Sequence, residues 1–390
     1  MRLQRGRKPP PGQSVSTKLL LGIRMSENTN NTRGQHHLPQ FLLKGFASRS
    51  RKKEVFTWLF RKDGAINEAN VKGIAKGRDF YGKPEESDIE QRLSEMEDRF
   101  ARLVRRLRDG EGLNEKLLLC QFVASTQIRT ANVRSGVAEA MESFMEGFGE
   151  ALTTPEYQAV LAQHAFDGAM KQIADGSLDG VLNLIPAEKR EQVLVELVPG
   201  MKQYLKTVIG GARAEFERHV PSLTDPKTFK DSQNRLLSKN LPPEPRVEHL
   251  MQLDWSVIPC EDELLILGDV GVVAGSATGE LMHILRHDPD LDAIYLPIAS
   301  NRLLVGCREG VTMTSVAALN AASAELSREF FISARKDLPT DLQGQIGRKA
   351  TLLPDNEIKV IMRQSFDGLS NPNYRSDEKT IVVNRLQEED

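Results

Sequence analysis

Helical periodicity dominates the middle of the chain, and this feature most restricts the folds that the sequence can adopt. Apolar residues recur at alternating steps of four and three at Ile89, Leu93, Met96, Phe100, Leu103 and Leu107. This spacing predicts an amphipathic helix with one buried stripe, and Ser87 and Glu90 have the spacing of a capping box. Similar patterns continue beyond it, with an interruption at Pro199-Gly200. We therefore predict a helical array over about residues 87–220.

Strand-like runs lie on both sides of this helical region. In "KEVFTWLF" the side chains alternate with a period of two, and Asp63-Gly64 then separates this run from "AINEANV", which predicts a β-hairpin. Short apolar runs typical of strands follow residue 250: "DWSVIPC", "ELLILGD", "VGVVAG", "AIYLPIA" and "RLLVGC". We predict an α+β fold, in which a central helical array accompanies an antiparallel or mixed sheet formed by the N-terminal hairpin and the C-terminal strands.

Charge and proline content suggest how the chain is divided. Residues 1–24 hold six basic residues and no acidic one, which leaves a formal charge of −8 on the rest when the chain total is −2. We expect residues 1–32 to be a disordered or spurious extension; a basic arm that contacts anionic partners is the alternative. We expect one α+β domain at 33–340, with a Pro-rich connection at 221–247, followed by a C-terminal extension at 341–390.

Composition also restricts the class of protein and its compartment. The chain is 39% hydrophobic and 27% charged, as is typical of globular proteins. No apolar run approaches the roughly 18 residues that cross a bilayer. Cys120, Cys260 and Cys307 are far apart and form no CxxC pair, which favours free thiols in a reducing compartment. We therefore expect a cytoplasmic protein without membrane contact.

The segment "RGQHHLPQFLLKGFA", residues 33–47, carries the first candidate site. Pro39 suits the first turn of a helix, so a helix of about two turns is predicted over Gln40–Phe46. His36 then lies just before the helix, where unpaired N–H groups and the positive end of the helix dipole are found. A neutral imidazole there can act as a general base or bind a metal. The alternative is a histidine that only caps the turn.

Four further polar positions are candidates for chemistry. Glu97 flanks the apolar stripe, and a partly buried carboxylate can be an acid, a base or a metal ligand, or an ordinary salt-bridge partner. Arg129, in a polar row of the next helix, can hold a phosphate or carboxylate, or bridge two helices. Asp269 follows the apolar run "LLIL", a common place for catalytic groups. Asn320 lies early in the last long helix, where its amide can point inward.

A row of arginines, Arg99, Arg102 and Arg106, follows one face of the same helix as Glu97. Such a row can engage nucleic-acid phosphates, although a solvated face that pairs with surface acids is the alternative. The sequence contains no GxxxxGK[ST] loop, HExxH pair or GxSxG elbow. The arginine row is therefore the feature that makes nucleic acid a candidate partner.

Several segments resemble, in order, the domain of unknown function family 4238 (DUF4238). They are "HHLPQFLLKGFA", "IAKGRDFYG", "IEQRLSEMEDRFARL", "FVASTQIRT", "DWSVIPCEDELLILGDVGVV", "IYLPIASNRLLVG" and "LNAASAELSREFF", from about residue 36 to 335. The resemblance marks as recurring family positions His36, Pro39, Gln40, Glu90, Glu97, Arg129, Asp269, Pro297 and Asn320. His37 replaces the usual aromatic, and Gly268–Gly271 stands where the family tends to have Ser-Asp-x-Pro. The family implies no settled activity.

These candidates lead to two functional hypotheses. In the first, His36, Gln40, Glu97, Arg129 and Asp269 converge in one cleft and catalyse hydrolysis of a phosphodiester or a nucleic acid, with or without a divalent metal. His36 is then the base, the acids orient it or bind metal, and Arg129 stabilises negative charge. In the second, the cluster is a binding site for a ligand or nucleic acid, or a structural network that holds the N-terminal motif on the helices.

Overall fold

The N-terminal part of the molecule consists of short strands and one short helix. The computed structural model describes residues 34–370 except 79, 82–88, 175–185, 224, 226, 229, 232–233, 235–241, 262, 277, 284–291, 312, 340 and 353–354. The first elements are β1 (Gly34–His36), α1 (Gln40–Leu43), β2 (Arg49–Arg51), β3 (Glu54–Arg61), β4 (Ile66–Asn70) and β5 (Lys76–Arg78). A 3-10 turn over Lys44–Phe46 follows α1, so the predicted two-turn helix is α-helical only in its first half.

Helices occupy the middle of the chain, as predicted. They are α2 (Ile89–Arg108), α3 (Lys116–Arg129), α4 (Ala131–Ala151), α5 (Pro155–Ala174), α6 (Ala187–Leu223) and α7 (Glu244–Leu250). In the predicted stripe of α2, Phe100, Leu103 and Leu107 are at most 2% exposed. Ser87 and the side chain of Glu90 lie outside the described residues, and so does their predicted capping box.

The helix α6 differs from its prediction, because it runs without a break through Pro199-Gly200. A proline removes one backbone donor, which weakens the helix at that turn but need not end it when the flanking residues favour helix. The predicted interruption is therefore wrong. The helix also enters the predicted Pro-rich connection 221–247, whose last residues belong to α7.

The C-terminal part returns to strands. Its elements are β6 (Asp254–Pro259), β7 (Leu267–Gly268), β8 (Val273–Gly275), β9 (Leu281–His283), β10 (Ala293–Ala299), β11 (Arg302–Cys307), α8 (Val316–Leu326), β12 (Phe330–Ser333) and α9 (Asp355–Ser370). In α9, Ile358 and Met362 pack with Ala151 at the end of α4. This part of the predicted C-terminal extension thus lies against the helical array.

The N-terminal hairpin and two of the C-terminal strands, β7 and β12, form one antiparallel sheet, and the predicted α+β fold is confirmed. The hairpin strands β3 and β4 pair with Phe56 opposite Asn70, and Gly64 in their turn has a φ of 88°. The strand β3 also pairs with β12, where Phe60 lies opposite Phe331. In the described part of the chain, β2 extends this sheet beside β3 and β7 extends it beside β12.

A second antiparallel sheet has the strand order β6-β11-β10-β8-β9 among the described residues. A separate ribbon of β1 and β5 places His36 opposite Lys76. One hydrophobic core joins both sheets to the first helices, and it includes Leu42, Leu59 and Leu304. No helix in the described residues is both long enough and apolar enough to cross a membrane.

Candidate functional site

The opening motif is held between the β1–β5 ribbon and the main core. Leu42, Leu43 and Phe46 are fully buried, as the predicted helix requires. Pro39 is the N-cap of α1, and its carbonyl accepts the backbone N–H groups of Leu42 and Leu43 at 3.0 and 3.2 Å. His36 ends β1, four residues before the short helix begins at Gln40.

Both ring nitrogens of His36 are hydrogen-bonded, which fixes the tautomer. Its Nδ1 lies 3.1 Å from the carbonyl oxygen of Ile74, so Nδ1 carries the proton and donates it. The Nε2 atom, 3.0 Å from Nε2 of Gln40, is then the acceptor of an amide N–H. The neutral imidazole is thus oriented by one backbone group and one side chain four residues away.

The guanidinium of Arg129 joins α3 to the opening motif and to α2. Its Nη2 donates to Oε1 of Glu97 at 2.6 Å and to the carbonyl oxygen of His36 at 3.2 Å. Its Nε donates to the hydroxyl of Tyr81 at 3.1 Å. Arg129 is 2% exposed, while the side chain of Glu97 is 30% exposed. The structure therefore brings His36, Gln40, Glu97 and Arg129 together in one partly exposed cluster.

The electrostatic surroundings keep His36 neutral. Burial, followed by the positive charge of Lys76, lowers the pKa of His36 below its ordinary value, and Glu97 opposes this shift. Lys76 is exposed on β5 directly opposite His36. A neutral imidazole at pH 7 has the protonation state that a general base requires.

His37 contrasts with its neighbour. Its ring packs against Phe80, with the ring centroids 5.4 Å apart, and it is 7% exposed. Neither ring nitrogen has a hydrogen-bond partner in the described structure. Burial, with smaller electrostatic contributions from the neighbouring imidazole of His36 and from Arg129 and Arg134, lowers the pKa of His37 to about 4. His37 therefore fills, as a neutral ring, the position where the resembled family has an aromatic side chain.

The carboxylate of Asp269 accepts hydrogen bonds from the backbone at the start of β12. Its Oδ1 accepts the backbone N–H of Arg328 at 2.8 Å, and its Oδ2 accepts those of Glu329 and Phe330 at 2.7 and 3.2 Å. Burial raises the pKa of Asp269 to about 6, although these three donors lower it. The carboxylate thus organises the connection between α8 and β12, and both of its oxygens are engaged there.

Asn320, in α8, also bonds to backbone groups of a distant segment. Its Nδ2 donates to the carbonyl oxygen of Leu264 at 2.8 Å, and its Oδ1 accepts the N–H of Ile266 at 3.0 Å. These bonds fasten the segment before β7 to the helix. Neither Asn320 nor Asp269 contributes a polar atom to the His36 cluster in the described structure.

The departure from the family pattern around Asp269 has a local explanation. A Cβ on Gly268 would collide with the hydroxyl of Ser327, which occupies the space of a side chain at 268. Gly271 has a φ of 72°, and proline cannot adopt this conformation. The chain therefore makes this turn, closed by an N–H···O bond of 3.0 Å from Gly271 to Gly268, with glycines at both positions.

Sequence reasoning missed Arg108, Tyr81 and Lys76. Arg108, at the end of α2, donates to the carbonyl oxygens of Ile298, Phe41 and Leu42 at 2.7, 2.9 and 3.3 Å. Burial lowers its pKa to about 10. Arg108 lies in the segment "RFARLVRRLR", and Lys76 and Tyr81 lie in "IAKGRDFYG". Neither segment shows which distant group each of these residues will contact.

The arginines predicted to form a row on α2 differ in their exposure and in their ion pairs. Arg99 and Arg102 are exposed on α2, whereas Arg106 pairs with Glu115 and, at 3.8 Å, with Glu111. Within the described residues, no group of three His, Cys, Asp or Glu side chains has an arrangement that could hold a metal ion.

Comparison with known proteins places the domain in a family. No curated protein and no solved structure matches the chain. The family model described as a protein of unknown function, DUF4238, matches residues 34–337, which span the opening motif, the helical array and both sheets. The chain therefore belongs to the DUF4238 family.

Proposed function

We propose that this domain is a hydrolase of an anionic ester, of the phosphodiester class, in which His36 is the general base. One observation supports this proposal above the others. A partly exposed imidazole with a fixed tautomer lies opposite the exposed cation Lys76 and beside the Glu97–Arg129 pair. Because the positive charge of Lys76 attracts anions, we propose an anionic ester as the substrate.

The chemistry follows from the hydrogen bonds of His36. Water replaces the amide of Gln40 at Nε2, and its proton passes to this nitrogen as the water oxygen attacks phosphorus. The bond from phosphorus to the leaving alkoxide breaks, and the alkoxide takes the proton from the imidazolium. The Ile74 carbonyl oxygen holds the Nδ1 proton throughout, and Glu97 favours the transient positive charge of the ring.

A structural network is the second candidate role, and one contact favours it. Arg129 donates to the backbone carbonyl of His36 and leaves the imidazole to other partners. In this role the cluster fastens β1 to α2 and α3 and takes no part in chemistry.

The substitution His36→Asn distinguishes the two roles. The amide Nδ2 of asparagine replaces Nδ1 as donor to Ile74, while the basic Nε2 is lost. We expect hydrolysis of bis(p-nitrophenyl) phosphate, assayed with and without Mg²⁺ or Mn²⁺, to fall about 100-fold or more, with the thermal midpoint nearly unchanged. Asn320→Ala is the matched control, in which we expect lost stability with the rate per folded molecule retained. Equal activity of His36→Asn and the native protein would contradict the proposal.

We also propose a reducing, cytoplasmic location and a nucleic-acid partner for this protein. The three cysteines are free thiols, which supports the location. Exposed Arg99 and Arg102 support contact with phosphates on α2, although the ion pairs of Arg106 reduce the row to two available cations. Binding of a labelled oligonucleotide by Arg99→Ala/Arg102→Ala, compared with the native protein, tests the contribution of α2.

A further inference from the structure

The face of β3 that points away from the main core carries a line of aromatic side chains. Strand alternation places Phe56, Trp58 and Phe60 on one face, while Val55 and Leu59 pack into the main core on the other. Phe60 is covered, because it stacks on Phe331 with a centroid distance of 4.8 Å. Phe56 and Trp58 are only partly buried, so their rings form the accessible part of this face.

Flexible cations lie over these two rings. The guanidinium carbon of Arg49 is 4.1 Å from the ring centroid of Phe56. The Nζ of Lys336 is 5.4 Å from the ring centroid of Trp58. Arg49 is tied on one side to Glu68 at 2.7 Å, and its side chain is still 48% exposed. A long cationic side chain therefore lies beside each accessible ring.

The surroundings of the two rings carry an excess of positive charge. Six cations lie on β2, in the β2–β3 turn and after β12: Arg49, Arg51, Lys52, Lys53, Arg335 and Lys336. Three acids accompany them, Glu54, Glu68 and Asp337, and two of these are engaged by Arg49 and Arg335. Arg51, Lys52 and Lys53 are exposed without an ion pair in the described structure.

We propose that this aromatic-basic face, defined by Phe56, Trp58 and the six cations, binds single-stranded nucleic acid. Bases stack on the two rings, and the cations that now lie over the rings move to the phosphates. Stacking on aromatic side chains combined with a basic surface is the common mode of sequence-tolerant single-strand binding. A duplex hides its base faces and cannot use these rings.

The spacing of the rings favours an unstacked strand. Phe56 and Trp58 are two residues apart on β3, so their rings are separated by about 7 Å. Successive bases in a stacked strand are separated by only about 3.4 Å. Two neighbouring bases reach both rings only when they are splayed apart, as single strands allow. This inference is independent of the proposed hydrolysis, because it uses none of the residues of the His36 cluster.

The test is binding of labelled oligothymidine and oligouridine of about 12 nucleotides, a length that fits the usual site sizes. Fluorescence anisotropy gives the affinity, and quenching of tryptophan fluorescence reports stacking. We expect Trp58→Leu to weaken binding about tenfold and Trp58→Phe, which keeps a ring, to retain most of it. We expect Arg51→Ala/Lys53→Ala to reduce the dependence of binding on salt by about 0.7 in slope for each lost phosphate contact.

Matched controls identify the surface and the folded state. Lys206→Ala/Lys359→Ala removes the same number of exposed cations from α6 and α9, and we expect it to bind like the native protein. Thermal unfolding of every variant shows whether it is folded. The proposal is overturned by equal affinity for duplex and single strand, or by unchanged binding in Trp58→Leu. It is also overturned if Arg99→Ala/Arg102→Ala, on α2, is the variant that loses binding while the variants of the aromatic-basic face keep it. Absence of binding by the native protein at about 100 μM in low salt would overturn it as well.

Discussion

Arg129 contacts the backbone of His36 and leaves the imidazole to other partners. Its Nη2 lies 3.2 Å from the carbonyl oxygen of His36 and 2.6 Å from Glu97, while the ring nitrogens bond to Ile74 and Gln40. The arginine is therefore a positioning group for the strand that carries the histidine. The loss of Arg129 should therefore displace His36, in addition to removing a positive charge that lowers the pKa of the ring.

The first prediction concerns this buried arginine. We expect Arg129→Lys to lower the free energy of unfolding by about 2–4 kcal/mol, because a lysine cannot serve Glu97, Tyr81 and the His36 carbonyl together. Chemical denaturation measures the change. Arg99→Ala, on the exposed side of α2, is the control and should change the stability by less than about 0.5 kcal/mol. Similar losses in both variants would contradict the structural importance of Arg129.

His37 should make the protein sensitive to acid. Its pKa is about 4 in the folded state and 6.5 ordinarily. Its stabilising contribution is then complete above pH 6.5 and is lost as the pH falls to 4, by about 3 kcal/mol. Asp269, whose pKa burial raises to about 6, acts in the opposite direction over part of this range.

The variant His37→Phe separates these two effects. It removes two unpaired ring nitrogens, so we expect the free energy of unfolding to rise by about 1–2 kcal/mol at pH 7. Denaturation between pH 7 and 4 should then show a smaller loss of stability on acidification than in the native protein, since the titration of His37 is removed. An unchanged pH dependence in His37→Phe would show that this ring does not titrate as described.

Asp269→Asn should weaken the connection before β12. In asparagine an NH₂ group replaces one carboxylate oxygen, and it cannot accept the backbone N–H groups that this oxygen accepts in the native protein. We expect the free energy of unfolding to fall by about 2–4 kcal/mol. Thermal unfolding and hydrogen exchange at residues 328–330 measure it. Asp337→Asn, whose carboxylate is exposed, is the control. If Asp269→Asn instead lost activity at full stability, the aspartate would belong to a catalytic site.

Gly45→Ala tests the close packing of Gly45 against Ile298 and Arg108. A Cβ at this position would collide with the carbonyl oxygen of Ile298 and the guanidinium of Arg108. We expect the free energy of unfolding to fall by about 1–3 kcal/mol, since the backbone must shift to make room for the methyl group. Gly73→Ala, where a Cβ has open space, is the matched control and should be nearly neutral. Equal midpoints for both variants would argue against this packing.

The pH dependence of hydrolysis tests the role of His36. Its pKa lies below the ordinary value, so kcat/KM should fall only below pH 6.5 and stay level at neutral pH. Lys76→Gln removes a charge that lowers this pKa, and the acidic limb should move to higher pH. Lys72→Gln, another exposed lysine, should leave the limb in place. A limb that moves equally in both variants would exclude Lys76 as its cause.

Local patterns predicted the elements whose stability is local. The period-two run with Asp63-Gly64 correctly indicated the β3–β4 hairpin, and the three-and-four spacing correctly indicated the buried stripe of α2. His36 and Gln40 belong to one motif, and their contact follows from a separation of four residues. In each case the partners are close in sequence.

The roles of Asp269, Asn320 and Arg108 could not be predicted in the same way. Each side chain bonds to backbone groups more than 50 residues away, and a sequence does not show which carbonyl or N–H group will face a given side chain. A polar residue after an apolar run has the same appearance whether it contacts a substrate or holds a loop. The positions of Asp269 and Asn320 were singled out from the sequence and that of Arg108 was not, and the partners of all three depend on the tertiary fold.

The hydrogen bonds of Arg108 affect the order in which parts of the chain can fold during synthesis. This arginine closes the end of α1 and simultaneously holds Ile298 in β10. A four-residue helix has little stability by itself, so α1 needs a partner that the ribosome makes much later. The N-terminal motif of a nascent chain can therefore fold only after β10 has emerged, and truncated chains that end before this strand should leave the motif unformed.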